Sequence, residues 1–569
     1  MINFKLKLAS RIKETIEKIY PVTIETDDIL SLFEYPPDDS MGDLALPCFK
    51  FSKLLRKNPA MIAGEIKDSI ECSNLADKCE TAGAYLNFHI ANSYYANEII
   101  SEIISKGEDY GKNTEGEGKT VVLDYSSPNI CKPFHVGHLG TTIIGHSIKK
   151  IHEFSGYKCI GINYLGDWGT QFGKQIVAYK KWSSKELVEK DGVDELVRVY
   201  VKFHKEIEEH PELGDEARAE FHKLETGDEE NTELWKWFVS ISLDEFNKTY
   251  KRLGISFDSY KGESFYTDKM DAQVQVLREK NLLKIDNGAS IVDLSEYGMP
   301  PCLILKTDGS TLYPTRDIAA AYYRYNTYNF DKCIYVTSMQ QCLHFSQWFK
   351  VIELMGYDFY DKLIHVPYGT LSIDGEKLST RNGNVVLIND LIDNAVGKVK
   401  EIMLEKNPDR EDIESVSNDI GVGAVIFYYL LNDRIKDINF VMKDALSFDG
   451  NSGPYAQYAY ARTCQILNKS GDVSIDNLKI SSKVEADLAK TLSLFGEKVL
   501  EAMHTYEPSD ITRYILDVCS AYNRFYHDCP ILSCEDEQTK KTRIALTKAT
   551  NIVLGNALPL ICMKTPSKI

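Results

Sequence analysis

The sequence predicts an α/β protein built on a doubly wound parallel sheet, with an α+β segment before it and an all-α bundle after it. Two observations carry this prediction. An apolar strand at 120–125 is followed by a glycine-containing turn, a helix at about 141–154 and a second strand at 159–163, which together form a βαβ unit. From about residue 444 to the end, apolar positions recur at helical spacing and strand patterns are absent.

The remaining segments follow in chain order. Residues 1–110 begin with a helical apolar spacing and end in a strand pattern at 84–90, so they predict a small N-terminal α+β domain. A polar linker leads to the sheet domain at 118–440. A charged helical stretch at about 183–250 predicts a helical insertion in this domain. Four further strands are predicted to continue its sheet, at 290–293, 302–306, 333–336 and 363–366. The all-α domain is predicted to occupy 441–569.

Composition limits the class of protein. A chain of 569 residues is too long for one core, and 43% hydrophobic with 26% charged residues is ordinary for a globular protein. No apolar run is long enough to span a bilayer and the first residues lack an apolar signal segment, so a cytoplasmic location is expected. The 13 cysteines show no CxxC pairing, which predicts free thiols and no zinc. The net charge of −18 argues against indiscriminate nucleic-acid binding, but it does not exclude an RNA partner.

A first chemical segment lies between the strand at 120–125 and the helix that follows it. Residues 126–138 are SSPNICKPFHVGH, in which His135 and His138 flank Gly137. Two imidazoles and the backbone amides of such a turn can approach one charged group, and a nucleoside triphosphate is the natural ligand. An HxxH pair alone is weak support, because such histidines are more often ordinary surface or core residues.

A second chemical segment, GEKLSTRNG at 375–383, follows another predicted strand of the same sheet. It presents Lys377 and Arg381 between glycines, so its cations can close over a triphosphate and stabilise the charge that develops on pyrophosphate. Ligands of open α/β sheets collect beyond the carboxyl ends of the strands. The two segments are therefore expected to face one nucleotide site.

Together these segments resemble the HIGH and KMSKS motifs of class I aminoacyl-tRNA synthetases, and most closely those of the arginyl-tRNA synthetase family. The first segment is similar to that family's version nearly residue for residue, and Leu378-Ser379-Thr380-Arg381 resembles its Met-Ser-Thr-Arg. Other family-like stretches occur in the same order along the chain: MGDLA at 41–45, GDWGTQFG at 166–173, GES at 262–264, YPTRD at 313–317 and GPYAQYAYAR at 453–462.

The resemblance implies a class I synthetase fold with a Rossmann-like catalytic domain and a C-terminal anticodon-binding bundle. It also implies ATP-dependent activation of L-arginine to arginyl-adenylate, with Mg²⁺, and transfer to the 3′-terminal adenosine of arginine tRNA. The expected catalytic residues are Lys132, His135, His138, Lys377, Ser379 and Arg381. The expected ATP-binding residues are Pro133, Val136, Gly137 and Leu378. Lys132 stands where a lysine before the HIGH motif is thought to compensate for one missing from the KMSKS loop.

Arginine recognition requires a planar carboxylate fork, because bidentate geometry separates a guanidinium from the ammonium of lysine. Asp317 and Glu263 are the candidates. The resemblance adds Tyr313 beside Asp317, Gln341, and Asn129 for the α-amino group. Each also has an ordinary structural interpretation: Asp317 as a helix N-cap, Tyr313 as a core aromatic, and Glu263 and Gln341 as surface residues.

For tRNA, the resemblance implies that bases stack on aromatic side chains of the C-terminal bundle. The candidates are Tyr458, Arg462, Arg513, Asn523 and Tyr526. Aromatic residues at helical spacing are more often core, which is the alternative for each of them. The N-terminal domain resembles one that grips the tRNA elbow, with contacts expected around Gly42 and residues 82–85. The family's habit predicts a monomer.

Several positions depart from the family pattern. Gly140 stands where arginine is usual, His146 where a small or acidic residue is common, Leu378 replaces methionine, and Asn382 replaces lysine. The chain also ends in Ile569, where the family customarily ends in methionine. Two alternatives therefore stay open beside the arginine-specific ligase: a related ligase for another amino acid, and a catalytically weakened paralog with a tRNA-binding or regulatory role.

Overall fold

The structure is a computed structural model that describes residues 1–373, 376–377 and 386–569. The strands are β1 (Leu44–Pro47), β2 (Ala76–Ala82), β3 (Tyr85–Ile90), β4 (Thr120–Asp124), β5 (Lys158–Ile162), β6 (Leu283–Asp286), β7 (Ala289–Val292), β8 (Cys302–Leu305), β9 (Lys332–Ser338), β10 (Leu363–Tyr368), β11 (Leu371–Ile373), β12 (Glu376–Lys377) and β13 (Ile438–Phe440). No helix within the described ranges is long and apolar enough to cross a membrane.

The helices account for most of the chain. They are α1 (Ile2–Ile19), α2 (Thr26–Leu30), α3 (Phe49–Leu55), α4 (Pro59–Ser69), α5 (Asn92–Tyr94), α6 (Ile100–Lys106), α7 (Leu139–Phe154), α8 (Thr170–Trp182), α9 (Lys185–Asp191), α10 (Val193–Glu209), α11 (Glu212–Glu225), α12 (Glu229–Leu253), α13 (Met270–Glu279), α14 (Tyr313–Tyr328), α15 (Cys342–Leu354), α16 (Ile388–Lys406), α17 (Ile413–Leu430), α18 (Met442–Ala445), α19 (Gly453–Ser470), α20 (Lys483–Ser493), α21 (Phe495–Thr505), α22 (Pro508–Asp528) and α23 (Glu537–Leu560).

The central sheet is parallel throughout, with the strand order β10-β9-β4-β5. In register, Leu123 of β4 lies opposite Gly161 of β5 on one side and Ile334 of β9 on the other. Parallel strands need crossover helices, and α7 connects β4 to β5 as the sequence predicts. The predicted fold class, a doubly wound α/β sheet with a helical C-terminal domain, is confirmed. The carboxyl ends of all four strands therefore lie at one edge of the sheet, where a ligand is expected.

Two of the predicted strands are not in this sheet. The segments predicted at 290–293 and 302–306 form β7 and β8, which pair antiparallel with each other and with β6 in a separate sheet. The hairpin between β6 and β7 turns at Asn287 and Gly288, both with positive φ. An Asn-Gly pair is the preferred sequence of a two-residue hairpin, so a local signal for the antiparallel arrangement was present.

The segment of the predicted helical insertion forms α9–α12. Its first helices are amphipathic and charged on the outside, as expected for a solvated excursion. Its last helix differs, because Phe238, Ser242, Phe246 and Tyr250 of α12 are buried. Phe246 and Tyr250 pack on the ring of Phe134, with centroids 5.2 and 5.3 Å away. The end of the insertion thus packs behind residues 126–138, the first of the two chemical segments, which is called the first signature segment below.

The C-terminal bundle contacts helix α7 of the sheet domain, and the N-terminal part contacts the bundle. In the C-terminal bundle, α19, α22 and α23 pack on one another, and the Leu560 carbonyl accepts a 2.6 Å hydrogen bond from Ser147 of α7. The N-terminal sheet has the order β1-β3-β2 and reaches the bundle through the ion pair of Asp43 with Lys490, at 2.9 Å. Helix α7 is therefore fixed by both the catalytic sheet and the bundle.

Candidate active site

The first signature segment leaves β4 in an unusual backbone conformation. Ser126, Ser127 and Cys131 have φ values of 73°, 50° and 59°, which non-glycine residues rarely adopt. A short 3-10 turn, Val136–His138, then leads directly into α7. Such outliers persist only where the surrounding structure holds them, and they cluster at functional sites.

The two signature histidines lie side by side, with ring centroids 4.1 Å apart. The Gly137 amide donates to His135 Nδ1 at 3.1 Å, so the ring nitrogen left to carry the proton in neutral His135 is Nε2. A Cβ on Gly137 would approach the His135 ring to 2.7 Å, which explains the glycine. The predicted proximity of the two imidazoles is found in the structure.

Both histidines are neutral near pH 7, which changes their expected contribution. Burial, together with the neighbouring His135 and Lys132, lowers the pKa of His138 to about 3. Burial and Lys132 also lower the pKa of His135. Neutral imidazoles offer N–H donors to a phosphate group rather than full positive charge. In the first segment, a positive charge near these histidines therefore comes from Lys132.

Asn129 and the GDWG stretch lie together beside this turn. The Ile130 amide donates to the Gly166 carbonyl at 3.2 Å, and the Gly166 amide donates to the Pro128 carbonyl at 3.1 Å. A Cβ on Gly166 would overlap the Asn129 side-chain oxygen. Asn129 is therefore seated over a glycine backbone at the carboxyl edge of the sheet.

The two predicted arginine-binding acids lie in one partly buried polar cluster. Glu263 Oε2 forms an ion pair with Arg316 Nη1 at 2.8 Å. The side chain of Glu263 is 15% exposed and that of Arg316 is 12% exposed. Asp317 Oδ2 lies 2.6 Å from His344 Nε2. Helix α14 begins at Tyr313 with Leu312 as N-cap, so the alternative interpretation of Asp317 as an N-cap is wrong.

The pKa of Glu263 is set by burial and by the charged side chains around it. The pKa of Glu263 is raised to about 7, because burial and the nearby carboxylates of Asp317 and Asp167 outweigh the opposing charge of Arg316. Asp167 itself accepts hydrogen bonds from the Ser264 amide at 2.8 Å and from its hydroxyl at 2.6 Å. Because Ser264 follows Glu263 directly, Asp167 fixes the backbone that carries the acid.

Several polar side chains of this cluster were not predicted from the sequence. Arg316 and His344 bind the two acids, and the hydroxyl of Tyr164, which interacts electrostatically with both acids, is buried with no partner among the described residues. Arg316 stands inside the YPTRD stretch, so its position in the sequence was the available signal. His344 and Tyr164 carry no motif signal.

A buried ion pair connects this acidic cluster to the first signature segment. Arg324 of α14 is 1% exposed, and its Nη2 lies 2.8 Å from Asp124 at the end of β4. Asp124 also accepts a hydrogen bond from the Ser127 hydroxyl at 3.0 Å. The helix that carries Asp317 is thereby fixed to the strand from which the histidine turn begins.

The other predicted arginine contacts lie at the surface of the same region. Tyr313 is 65% exposed, so it is not a core aromatic, and its ring centroid lies 5.8 Å from the Arg316 guanidinium carbon. Both residues line a cleft of about 690 Å³ that also includes Trp168, Gln171 and Lys306. Gln341 ends a 3-10 turn, Met339–Gln341, and is exposed.

The second signature segment lies mainly outside the described residues. This applies to Leu378, Ser379, Arg381 and Asn382, while Lys377 is described only as part of the backbone of β12. The described residue after the gap, Val386, accepts a hydrogen bond from the Val136 amide at 3.0 Å, and the Ile388 amide donates to the Phe134 carbonyl at 3.1 Å. The chain beyond the second segment is therefore paired with the first.

Four of the five predicted tRNA-binding residues form one cluster on the C-terminal bundle. The Arg462 guanidinium carbon lies 4.8 Å from the Tyr458 ring centroid and 4.6 Å from that of Tyr526, and its Nη1 donates to Asn523 Oδ1 at 2.7 Å. Tyr458 and Tyr526 are 41% and 44% exposed, so neither is a core aromatic. Two exposed rings around a cation form a platform on which unpaired bases can stack.

Arg513 is separate from that cluster. It forms ion pairs with Asp433 at 2.7 Å and Asp510 at 3.3 Å, near the start of α22. Asp433 is beside Arg434, whose Nη1 donates to the Pro367 carbonyl of β10 at 2.6 Å. Arg513 therefore lies at the junction between the bundle and the sheet domain, away from the aromatic platform.

Comparison with known proteins finds a family model for each of the three parts of the chain. Residues 6–90 match the family described as arginyl tRNA synthetase N terminal domain, residues 99–442 match tRNA synthetases class I (R), catalytic domain, and residues 456–569 match the DALR anticodon binding domain. An arginine–tRNA ligase of Clostridioides difficile is 50% identical over 572 residues, with 100% of both chains covered. The chain belongs to the arginyl-tRNA synthetase family.

Other known proteins also match over nearly the full length of both chains. The arginine–tRNA ligase of Alkaliphilus metalliredigens is 48% identical, with 100% of both chains covered. The crystal structure of arginyl-tRNA synthetase from Plasmodium falciparum is 26% identical with a TM-score of 0.81, covering 99% of this chain and 98% of that one. The Thermus thermophilus arginyl-tRNA synthetase has the same TM-score and shares the fold at 23% identity, covering 99% of both chains.

The departures from the arginyl-tRNA synthetase pattern that lie in α7 have structural explanations. Gly140 is buried, and a Cβ there would overlap the Tyr429 hydroxyl and lie 3.1 Å from the Tyr368 ring. His146 is buried and its Nδ1 lies 3.0 Å from the Tyr125 hydroxyl; burial lowers its pKa to about 3, so it is a neutral core residue. Both residues therefore fit the interior of this helix.

Proposed function

We propose that the chain is an ATP-dependent arginine–tRNA ligase that forms arginyl-adenylate and transfers arginine to the 3′-terminal adenosine of arginine tRNA. The observation that carries this proposal is the pairing of two sites on one sheet edge: a turn with two neutral histidines and a partly buried acidic cluster that contains Glu263 and Asp317. Full-length relatives named arginine–tRNA ligase support the same activity. Among the described residues, no feature favours a paralog without catalysis.

In the proposed first step, an oxygen of the arginine carboxylate attacks the α-phosphorus of ATP, and the bond to the bridging oxygen of the β-phosphate breaks. Pyrophosphate leaves with that electron pair. The carboxylate is already a nucleophile, so the site needs hydrogen-bond donors and cations for the phosphate charge rather than a general base. His135 and His138 are proposed as the donors. Lys132, Lys377 and Arg381 are proposed as the cations.

In the proposed second step, a ribose hydroxyl of the tRNA, taken as the 2′-hydroxyl in this class, attacks the carbonyl carbon of the adenylate. The ester bond forms, the bond between the carbonyl carbon and the phosphate oxygen breaks, AMP leaves with that electron pair, and the hydroxyl proton is released to AMP or solvent. The proposed arginine contacts are Asp317 and Glu263 for the guanidinium, with Tyr313 and Gln341 beside them and Asn129 for the α-amino group. The proposed contacts of ATP are Pro133, Val136 and Gly137, together with Leu378 and Ser379 of the second segment.

The test is exchange of labelled pyrophosphate into ATP, with arginine and with or without arginine tRNA. Lysine, glutamine and citrulline serve as comparison substrates, because citrulline keeps the shape of arginine without its charge. Exchange with arginine alone among these four is the expected result, and a requirement for tRNA would match the family resemblance. Exchange with another amino acid, or tRNA binding without exchange, contradicts the proposal.

The affinity for arginine should depend on pH through Glu263. Its pKa of about 7 means that the carboxyl is half protonated near neutrality, and the protonated form does not attract a guanidinium. Raising the pH from 6 to 8 removes this proton, so the KM for arginine should fall by about 10-fold over that range. The measurement is the exchange KM at several pH values. Glu263→Gln should give a higher KM with little pH dependence; an equal pH dependence in this variant would assign the titration to another group.

The aromatic platform on the bundle gives a second prediction. Arg462→Ala removes the cation between Tyr458 and Tyr526, so arginine tRNA should bind about 10-fold to 100-fold more weakly, since base stacking and its cationic support contribute about 1–3 kcal/mol. Titration of labelled tRNA measures this Kd. Lys498→Ala is the matched control, because it removes a cation of the bundle that is paired with Glu501 at 2.7 Å, and it should change the Kd by less than about threefold. Equal losses in both variants would contradict the assignment.

The remaining partners are proposed on coarser support. Mg²⁺ is expected with the ATP phosphates, which together with water usually supply most of its ligands; the described residues contain no group of three or more acidic, cysteine or histidine side chains placed to hold a metal. A monomer in the cytoplasm is the proposed state, with free thiols as found at all 13 cysteines. We also propose the domain division 1–110, 118–440 and 441–569, with the insertion at about 183–250.

A further inference from the structure

We propose that Tyr250, in the last helix of the insertion, is a positioning residue for the first signature turn and acts through a one-directional chain of hydrogen bonds that ends on the backbone of His138. The inference rests on the proposed function and deepens it, because it assigns a role to a residue outside the histidine and acidic clusters. Its basis is a set of buried polar contacts whose donors and acceptors can be assigned without ambiguity.

The direction of the chain is set at its far end. Thr142 Oγ1 lies 2.6 Å from the carbonyl oxygen of His138, and a carbonyl only accepts, so the Thr142 proton is committed there. Ser126 Oγ lies 2.8 Å from Thr142 Oγ1 and must therefore donate to it. Tyr250 Oη lies 2.7 Å from Ser126 Oγ, whose own proton is already used, so the tyrosine is the donor.

The near end of the chain is fixed by an amide. The Ser127 backbone N–H donates to Asn163 Oδ1 at 3.1 Å, which orients the amide so that Nδ2 faces Tyr250 and donates to its hydroxyl at 3.0 Å. Asn163 and Thr142 are fully buried, while Tyr250 is 1% and Ser126 3% exposed. Water cannot replace a lost partner in this interior without rearrangement, so each bond of the chain matters.

The chain holds the part of the backbone that needs support. Ser126 and Ser127 both have positive φ, and both are bonded to members of the chain. A second contact from the same helix reaches the third such residue, because the Cys131 amide donates to Ser242 Oγ at 3.1 Å. Helix α12 therefore contacts both ends of the strained segment, from positions two turns apart.

This arrangement predicts an effect on the chemical step rather than on arginine binding. The signature histidines act on phosphate charge that develops in the transition state, so a misplaced turn lowers kcat. Arginine is held by Glu263 and Asp317, which lie on other elements. A residue with only a packing role would lower thermal stability without separating kcat from the KM for arginine.

The experiment measures kcat and the KM for arginine in pyrophosphate exchange, together with the thermal midpoint, for five variants. Tyr250→Phe and Thr142→Val each remove one hydroxyl at nearly constant volume and should lower kcat about 10-fold with the KM for arginine changed less than about twofold. Thr142→Ser keeps the hydroxyl and should retain wild-type kcat. Tyr260→Phe is the matched control, since its exposed hydroxyl bonds only Asn247 in the described structure.

The double variant Tyr250→Phe/Thr142→Val decides whether the two hydroxyls act together. A loss close to that of either single variant supports one chain, since contacts in one network are not additive. A product of the two single losses, unchanged kcat in both single variants, or an equal loss in Tyr260→Phe overturns the inference. Absence of arginine-dependent exchange in the wild-type protein would instead overturn the proposed function, and the inference with it.

Discussion

Replacing Asp317 with asparagine should raise the KM for arginine by about 100-fold or more, because removing one partner of a buried charge pair costs about 2–5 kcal/mol. The Asp317 carboxylate is 20% exposed and bonds His344 through Oδ2, whereas Glu263 is paired with the permanent charge of Arg316. Asp317 is therefore the acid better placed to receive a substrate guanidinium. Asparagine keeps the size of the side chain but offers the substrate no negative charge.

The pyrophosphate exchange assay measures this effect, with the thermal midpoint as a check on folding. Asp308→Asn is the matched control, because Asp308 lines the cleft beside Tyr313 and Arg316 but bonds only Ser310 in the described structure and lies at the exposed turn after β8. Its KM should stay within about twofold of wild type. A KM unchanged in Asp317→Asn, or raised equally in the control, would place the guanidinium site elsewhere.

The parts of the fold that were predictable from sequence are those encoded by local patterns. The β4–α7–β5 unit follows from an apolar run, a turn and a helical period within about 45 residues, and it was placed correctly. The segments of β7 and β8 were identified as strands but assigned to the wrong sheet. An apolar strand pattern does not specify the partner strand, and only the Asn287-Gly288 turn signalled a hairpin there.

The residues of the site also fall into a group that could be predicted from sequence and a group that could not. The resemblance supplied His135, His138, Glu263 and Asp317, and the structure brings each pair together. It did not supply His344, Tyr164 or Tyr250, because these come from three separate elements and meet the site only after the chain folds. Their side chains carry no spacing that a single sequence reveals. Aromatic residues at helical spacing were equally ambiguous, and only their exposure separates Tyr458 and Tyr526 from the buried Tyr514 and Tyr522.

Gly140 departs from the family pattern because of the residue that packs against it. Seen in the sequence alone, a glycine in place of the usual arginine beside the catalytic turn suggests weakened activity, and restoring the arginine is the obvious remedy. The structure contradicts that remedy. Tyr429 of α17 occupies the space where a side chain at 140 would begin, with its ring carbon Cζ 2.9 Å from the position of a Cβ.

Gly140→Arg should therefore destabilise the protein by about 3 kcal/mol or more and abolish most exchange activity, because overpacking a buried site forces neighbouring side chains and backbone to move. Gly140→Ala should already lower the thermal midpoint. Gly64 is the matched control, since it lies in α4 with nothing within 4 Å of a Cβ, and Gly64→Ala should stabilise by about 0.5–1 kcal/mol.

Changing Tyr429 distinguishes a clash between positions 140 and 429 from a general intolerance of arginine in α7. Tyr429→Ala alone should be strongly destabilising, since Tyr429 is 3% exposed and its removal leaves a cavity. Gly140→Arg in the Tyr429→Ala background should cost less than in the wild type, because the space it needs is then open, and the two changes should be coupled in a double-mutant cycle. Strict additivity would show that Tyr429 is not what excludes a side chain at position 140. A Gly140→Arg protein with wild-type stability and higher activity would show that glycine at this position weakens catalysis. The expected coupling means instead that Gly140 and Tyr429 depend on each other for packing. With tyrosine at 429, the arginine that other family members have at position 140 does not fit.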